Sequence, residues 1–395
     1  MATVRIRPGH VQPVWAGHPW IFAQAIGRVE GAPAPGDVVR VVDPEGKLLG
    51  FGYYSPKSAI PVRLLSREDE GPFEGAFLGR RIEAAFAFRR DWLGLPNERS
   101  TGYRLVNSEG DGLPGLVVDV YDRVARVQLL TAGMKRREQE IYGHLARVAG
   151  VSTILEVAVD LEKMEGVKSE GGVARGEAVR DLRFRDRGFE MEIPLEITQK
   201  TGFYFDQRDN RAWVEELSRG RRVLDAYCFV GGFGLGAARG GASEVVCLDS
   251  SATAIAQGAA IAKHNGLENV LKFVRDDVKN ALPDLARKGE EFDIVVVDPP
   301  KLAKTVRDLE GARRAYRRLN ANALALVAPG GLLVSCSCSS AMRADDLVRT
   351  CTMAAQDAKR ELVLLGVGEQ APDHPVPSAF EQGRYLKAAF LRVVR

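Results

Sequence analysis

Apolar and polar positions follow three successive rhythms along the chain. Over residues 1–70 the runs VVRVVD, LLGFGYYS and IPVRLLS are short and apolar or alternating, and APAPGD, PEG and SPKS bound them. Period-two runs punctuated by Gly and Pro predict β-strands, here a small β-barrel or sandwich. From about 71 the spacing lengthens, and Phe77, Leu78, Ile82, Ala85 and Phe86 recur as on one face of a helix. Strand patterns return over 104–132, with a DG-x-PG turn, and again over 153–160 and 177–197, so 71–190 is expected to form an α+β middle domain. Over 191–395 strand and helix alternate. RRVLDAY, EVVCLD, LKFVRDD, FDIVVVD and GLLVSCS leave room for helices between them, and ELVLLG and YLKAAFLRV close the chain. That rhythm predicts a Rossmann-like α/β domain on a mostly parallel seven-stranded sheet.

Composition narrows the class. A chain of 395 residues, 45% hydrophobic and 27% charged, can bury two or three ordinary cores. No apolar run reaches the roughly 18–20 residues of a membrane span, and MATVRIRPGHVQPVW lacks the apolar stretch of a secretory signal. Five scattered cysteines make no disulfide framework, so a reducing, cytoplasmic setting is expected. With no C-x-x-C and five mutually distant histidines, no metal site is expected.

A net charge of +3 implies no partner by itself, but its distribution does. Residues 1–67 carry eight basic against four acidic side chains, and 301–318, KLAKTVRDLEGARRAYRR, seven against two. On a helix, Arg313 and Arg317 lie four residues apart, as do Arg314 and Arg318, so they share one basic stripe. A solvated helix face is the commoner explanation of such a run. The stripe gains weight only from what precedes it, Pro300, Lys301 and Lys304.

In an open α/β sheet, ligands sit beyond the carboxyl ends of the strands. There the sequence places Asp225, then Gly231, Gly232 and Gly234; Asp249; Asp276–Asp277; and Asp298-Pro299-Pro300-Lys301. A lone Asp at such a place is commonly a helix cap. Acids at four consecutive strand tips, with no G-x-G-x-x-G phosphate fingerprint, suit a cofactor carrying an ammonium, a ribose and an adenine. S-adenosylmethionine fits. The D-P-P sequence then suits a pocket for a planar base, its side chain at the base edge and its prolines stiffening the loop.

The remaining motif is GLLVSCSCSS, with Cys336 and Cys338 two residues apart. Residues i and i+2 of a strand share a face, so alternation does not separate them. Cys338 lies nearer the carboxyl edge, where ligands bind.

The chain resembles the ribosomal RNA large-subunit methyltransferase I family, whose members form 5-methylcytosine. The resemblance is carried by His18-Pro19-Trp20-Ile21-Phe22, Asp111 to Leu116, Lys200 to Arg208 (KTGFYFDQR), Val230-Gly231-Gly232-Phe233, Asp298 to Lys301, Ser337-Cys338-Ser339 and Asp373-His374-Pro375. It implies an N-terminal PUA RNA-binding domain, a middle domain and a class I methyltransferase domain. It implies that Phe203, Gln207 and Arg208 help wall the cofactor site, to which the strand ends contribute Asp225, Gly231, Gly232, Asp249, Asp277, Asp298 and Pro299. It places Cys338 on the family's nucleophile and Cys336 on a position the family fills with a bulky apolar residue. Pro300, Lys301, Lys304, Arg313, Arg317 and His374 are the expected substrate contacts, large-subunit ribosomal RNA the expected partner, and homodimerisation a family expectation. The implied chemistry is addition of the Cys338 thiolate to cytosine carbon 6, with Asp298 at ring nitrogen 3. Two alternatives stay open: a guanine or exocyclic-nitrogen RNA methyltransferase, which needs no cysteine, and a non-catalytic RNA-binding assembly factor.

Overall fold

A computed structural model describes residues 1–68, 76–198, 200–303 and 305–394. It separates into two compact units, Met1–Phe205 with Pro372–Gly383, and Asp206–Ala371 with Arg384–Arg395.

The first unit holds a six-stranded sheet within residues 3–66 and a five-stranded sheet within residues 102–175. Its core includes the helix Ala76–Leu93, which buries Phe77, Leu78, Ile82 and Ala85, as their helical spacing predicts. The expected boundary at 70/71 falls outside the described residues. The expected boundary at 190/191 lies upstream of the observed one at Phe205. Aromatic packing explains the difference: the Phe184 ring centroid lies 5.3 Å from that of Phe203, and Phe205 lies 5.2 Å from Tyr121. The Tyr121 hydroxyl also accepts from the Phe203 N–H at 2.8 Å, tying 201–205 into this unit.

In the second unit the strands are β1 (Arg222–Ala226), β2 (Glu244–Asp249), β3 (Leu271–Arg275), β4 (Phe292–Val297), β5 (Val327–Ser337), β6 (Leu362–Gly368) and β7 (Lys387–Val393). Their order is β3-β2-β1-β4-β5-β7-β6. Pairs β1–β2, β2–β3, β1–β4 and β4–β5 are parallel, while β7 runs antiparallel to both β5 and β6. The helices that concern the site are α1 (Arg208–Leu217), α2 (Gly232–Arg239), α3 (Ala252–His264), α4 (Val278–Arg287) and α5 (Leu309–Leu324). Val295, Val297, Leu324 and Leu333 are fully buried in one core, which is why the parallel strands read as unbroken apolar runs. Strand order reverses between β1 and β4, so their carboxyl ends open a crevice.

Candidate active site

The loop leaving β1 is held in an unusual backbone. Tyr227 and Phe229 have φ of 63° and 53°, a left-handed region that few non-glycine residues occupy. Gly231 (φ 82°) then caps α2. A Cβ at Gly231 would stand 2.9 Å from the Phe273 ring, and one at Gly232 would stand 2.8 Å from Arg211 Nε. A side chain at either position would force a neighbour to shift, and Gly231 is also favoured by its backbone conformation.

Asp225, at the end of β1, is buried. Its Oδ2 accepts from the Gly234 N–H at 2.8 Å, whereas Oδ1 has no hydrogen-bond partner among the described residues. Burial pushes its pKa up to about 7; the Gly234 N–H and the Arg211 guanidinium oppose this, and the Asp298 and Asp249 carboxylates add to it. Asp249, at the tip of β2, accepts from the Phe229 N–H at 3.0 Å and the Ser251 N–H at 2.9 Å. Asp277 is an exposed N-cap, accepting from the Lys279 N–H at 3.0 Å. Burial and the nearby Asp277 and Asp249 push the Tyr227 phenol up to about 12.

Across the crevice, Asp298 follows β4. Its Oδ2 accepts from Gln207 Nε2 at 3.0 Å, and Gln207 Oε1 accepts from Asn210 Nδ2 at 2.7 Å. Burial and the Asp206 carboxylate push the Asp298 pKa up to about 7, against the Gln207 amide and Arg211. Asp206 accepts from the Tyr385 hydroxyl at 2.8 Å through Oδ2, and its Oδ1 has no hydrogen-bond partner among the described residues.

Val297 pairs with Ser335, so Cys336 lies beside the Asp298 end of β4. Cys336 is fully buried, and burial, reinforced by Asp298, pushes its thiol well above the ordinary range. Cys338 lies just past β5 and is half-buried, whereas the other four cysteines are buried. The alternating serines hold its backbone. Ser337 Oγ accepts from the Tyr316 hydroxyl at 2.9 Å and the Ser339 N–H at 3.3 Å, and Ser339 Oγ accepts from the Ala303 N–H at 3.2 Å. Cys338 and Asp298 both raise the pKa of buried Tyr316, so the two lie within one electrostatic neighbourhood.

The structure thus brings Asp225, Gly231, Gly232, Asp249, Asp298 and Gln207 to the carboxyl edge of one sheet. Buried Arg208 begins α1, Pro299 is buried, and Pro300 and Lys301 are exposed after Asp298. Other expected residues are placed differently. The Phe203 ring packs in the first unit, 5.3 Å from Phe184 and 5.4 Å from Phe205 between centroids. His374 is buried in the first unit, with Nδ1 2.9 Å from Asp373 Oδ1. Three of the four stripe arginines are paired: Arg313 with Asp346 at 2.6 Å, Arg317 with both oxygens of Asp357 at 2.6 Å, and Arg314 with Glu310. Asp346 and Asp357 on the next helix, 33 and 40 residues away, neutralise Arg313 and Arg317, part of what reads as a free charge run. Lys304 lies outside the described residues. Sequence reasoning missed Asp206, Tyr316, Tyr385 and Lys387; a lysine inside the apolar run YLKAAFLRV was the one available signal.

The donor set fits S-adenosylmethionine. Asp225 Oδ1 is a buried acceptor with no hydrogen-bond partner among the described residues, Asp249 ends the neighbouring strand, and a side chain on the Gly231–Gly232 turn would force Phe273 or Arg211 to shift. Among the described residues no cluster of three His, Cys, Asp or Glu could hold a metal ion, and no helix is long and apolar enough to cross a membrane.

Comparison with known proteins agrees with this geometry. Residues 164–380 match the model of the S-adenosylmethionine-dependent methyltransferase family, and residues 4–67 match that of the PUA-like domain. Fold and site therefore define an S-adenosylmethionine-dependent methyltransferase with a PUA-like domain before it. The ribosomal RNA large subunit methyltransferase I of Shewanella denitrificans is 37% identical over 394 residues, 99% of each chain, and that of Aeromonas salmonicida is 38% identical over 95% of each. The chain belongs to the ribosomal RNA large subunit methyltransferase I family. Among solved structures, an S-adenosylmethionine-dependent methyltransferase from Streptococcus mutans covers the whole chain with a TM-score of 0.85 at 19% identity, a likeness of fold. A second methyltransferase, at 0.86 and 19%, was solved with S-adenosylhomocysteine.

Proposed function

We propose that the protein forms 5-methylcytosine in large-subunit ribosomal RNA, with Cys338 as the nucleophile. The observation that carries this is the placement of Cys338 alone among the cysteines: past the end of β5, half-buried, in the electrostatic neighbourhood of Asp298. The substrate class is supported by relatives named for ribosomal RNA and by the PUA-like match at the N-terminus.

Cytosine carbon 5 is too weak a nucleophile to take a methyl group unaided. The Cys338 thiolate adds to carbon 6, and the ring electrons shift so that carbon 5 becomes an enamine carbon. Asp298, with a pKa near 7, is in the state to share a proton with ring nitrogen 3 as charge develops there. S-adenosylmethionine, when bound, supplies the electrophilic methyl group. Carbon 5 would take it as the sulfur–methyl bond breaks, leaving S-adenosylhomocysteine with the bonding pair. A solvent-derived base then takes the carbon 5 proton, and the carbon–hydrogen electron pair re-forms the ring double bond and expels the Cys338 thiolate. Asp225 and Asp249 hold the cofactor's polar groups, and the Gly231–Gly232 turn lets it approach the backbone. The target base must be unpaired or extruded to reach the crevice, and exposed Lys301 stands where a phosphate would pass.

The test offers labelled S-adenosylmethionine with ribosomal RNA carrying 5-fluorocytosine, whose carbon 5 has no proton to lose. A covalent protein–RNA adduct is expected, and it should vanish with Cys338→Ala. Full turnover by Cys338→Ala would overturn the mechanism and leave methylation at a nitrogen instead.

A further inference from the structure

Lys387 is the first residue of β7 and is paired in register with Ser337, one residue before Cys338. It is only 5% exposed. Its ammonium donates to the Ser339 carbonyl at 3.0 Å and the Tyr385 carbonyl at 3.2 Å, so it bonds the carbonyl of the residue that follows Cys338. An ammonium has three N–H donors, and these bonds use two. Glu369, the carboxylate that acts on Lys387 electrostatically, has both oxygens gripped by Arg384. A buried cation without an anionic partner is costly, and the usual outcomes are loss of the proton or recruitment of an anion.

The groups around Lys387 are few. Burial pushes its amine down to about 8; Arg384 and Lys301 push the same way, while Glu369 and the Cys338 thiolate oppose them. Around Cys338 stand Asp298, Tyr316 and Cys336. Asp298 opposes a thiolate, so a cation is needed if the thiol is to ionise near neutral pH.

We infer that the Lys387 ammonium is the counter-charge of the Cys338 thiolate, held beside it by the Ser339 and Tyr385 carbonyls. Lys387 is a positioning residue that acts through Cys338: it makes the thiolate available at neutral pH and fixes the peptide that aims it. This rests on Cys338 being the nucleophile proposed above.

Alkylation of the full-length protein by iodoacetamide, followed across pH by mass spectrometry of the Cys338 peptide, reads the thiolate directly, because the other cysteines are buried. The wild-type rate should reach half its maximum below the ordinary thiol value of about 8.5. Lys387→Gln keeps a donor for the carbonyls and removes the charge. It should move that midpoint up by about one unit and slow alkylation at pH 7 roughly tenfold, with Lys387→Arg restoring most of the shift. An unchanged midpoint in folded Lys387→Gln overturns the counter-charge. If neither variant folds, a wild-type midpoint at or above about 8.5 overturns it equally. Full turnover by Cys338→Ala with a Lys387-dependent midpoint would refute the nucleophile and leave the ion pair standing. Loss of turnover in Cys338→Ala with a Lys387-independent midpoint would do the reverse.

Discussion

Gln207 Nε2 donates to Asp298 Oδ2 at 3.0 Å, linking the segment before α1 to the carboxyl end of β4. The same amide accepts from Asn210, so its orientation is fixed and Asp298 receives an N–H. Gln207→Leu leaves the Asp298 oxygen and the Asn210 amide each short of a partner, which costs about 1–3 kcal/mol for a buried group. It also removes an influence that lowers the Asp298 pKa. We expect a lower melting temperature, and a pH–rate profile whose Asp298-dependent limb moves to higher pH.

The two cysteines of the β5 end should separate cleanly. Cys338→Ala is expected to reduce turnover by roughly three orders of magnitude or more, the scale of losing an essential nucleophile. Cys336→Val replaces a fully buried thiol with an apolar group of similar size, and turnover should fall less than about tenfold. Single-turnover methyl transfer with each variant decides this.

Asp225 makes stability depend on pH in a specific direction. Its unfolded carboxyl titrates near 3.8 and its folded one near 7, so the folded state holds the proton more tightly. The contribution is fully present below about pH 4, falls as pH rises to about 7, and is gone above it. Asp225→Asn still offers an oxygen to the Gly234 N–H but carries no charge. Its urea midpoint should exceed that of the wild type at pH 8, by less at pH 5, while binding of S-adenosylmethionine by calorimetry weakens at least tenfold.

Gly231→Ala combines a left-handed backbone with a 2.9 Å approach to Phe273. A cost of about 1–3 kcal/mol is expected from the conformation and the forced shift together. Because the turn fronts the crevice, cofactor affinity should fall more than stability does. Paired calorimetry and thermal unfolding measure the two.

Lys301 is exposed beyond D-P-P, whereas Arg317 is held by Asp357. Lys301→Ala should reduce the salt dependence of RNA binding by about 0.7 in log–log slope, the value for one single-strand phosphate contact. Arg317→Ala should change it less, because its charge is already compensated. Filter binding from about 50 to 200 mM salt distinguishes them.

Much of the second unit was legible in the chain itself. The unbroken apolar runs of β1, β2, β4 and β5 follow from burial on both faces of a parallel sheet, a local property of each segment. Strand-tip chemistry was equally local: Asp225, Asp249 and Asp298 end apolar runs, and Cys338 stands one alternation beyond Cys336. The first unit was less legible, because Phe184, Phe203 and Phe205 close on Tyr121 from separate stretches and draw the boundary past the expected residue 190.

The sequence by itself determined which residues stand at the edge of the sheet, because hydrophobic periodicity and strand ends depend on neighbours in the chain. Only the tertiary structure decided their electrical state. The acids that neutralise Arg313 and Arg317, the arginine that occupies Glu369, and the lysine set beside Cys338 are all remote in sequence. Charge interacts through space and through burial, and neither is written in the order of residues.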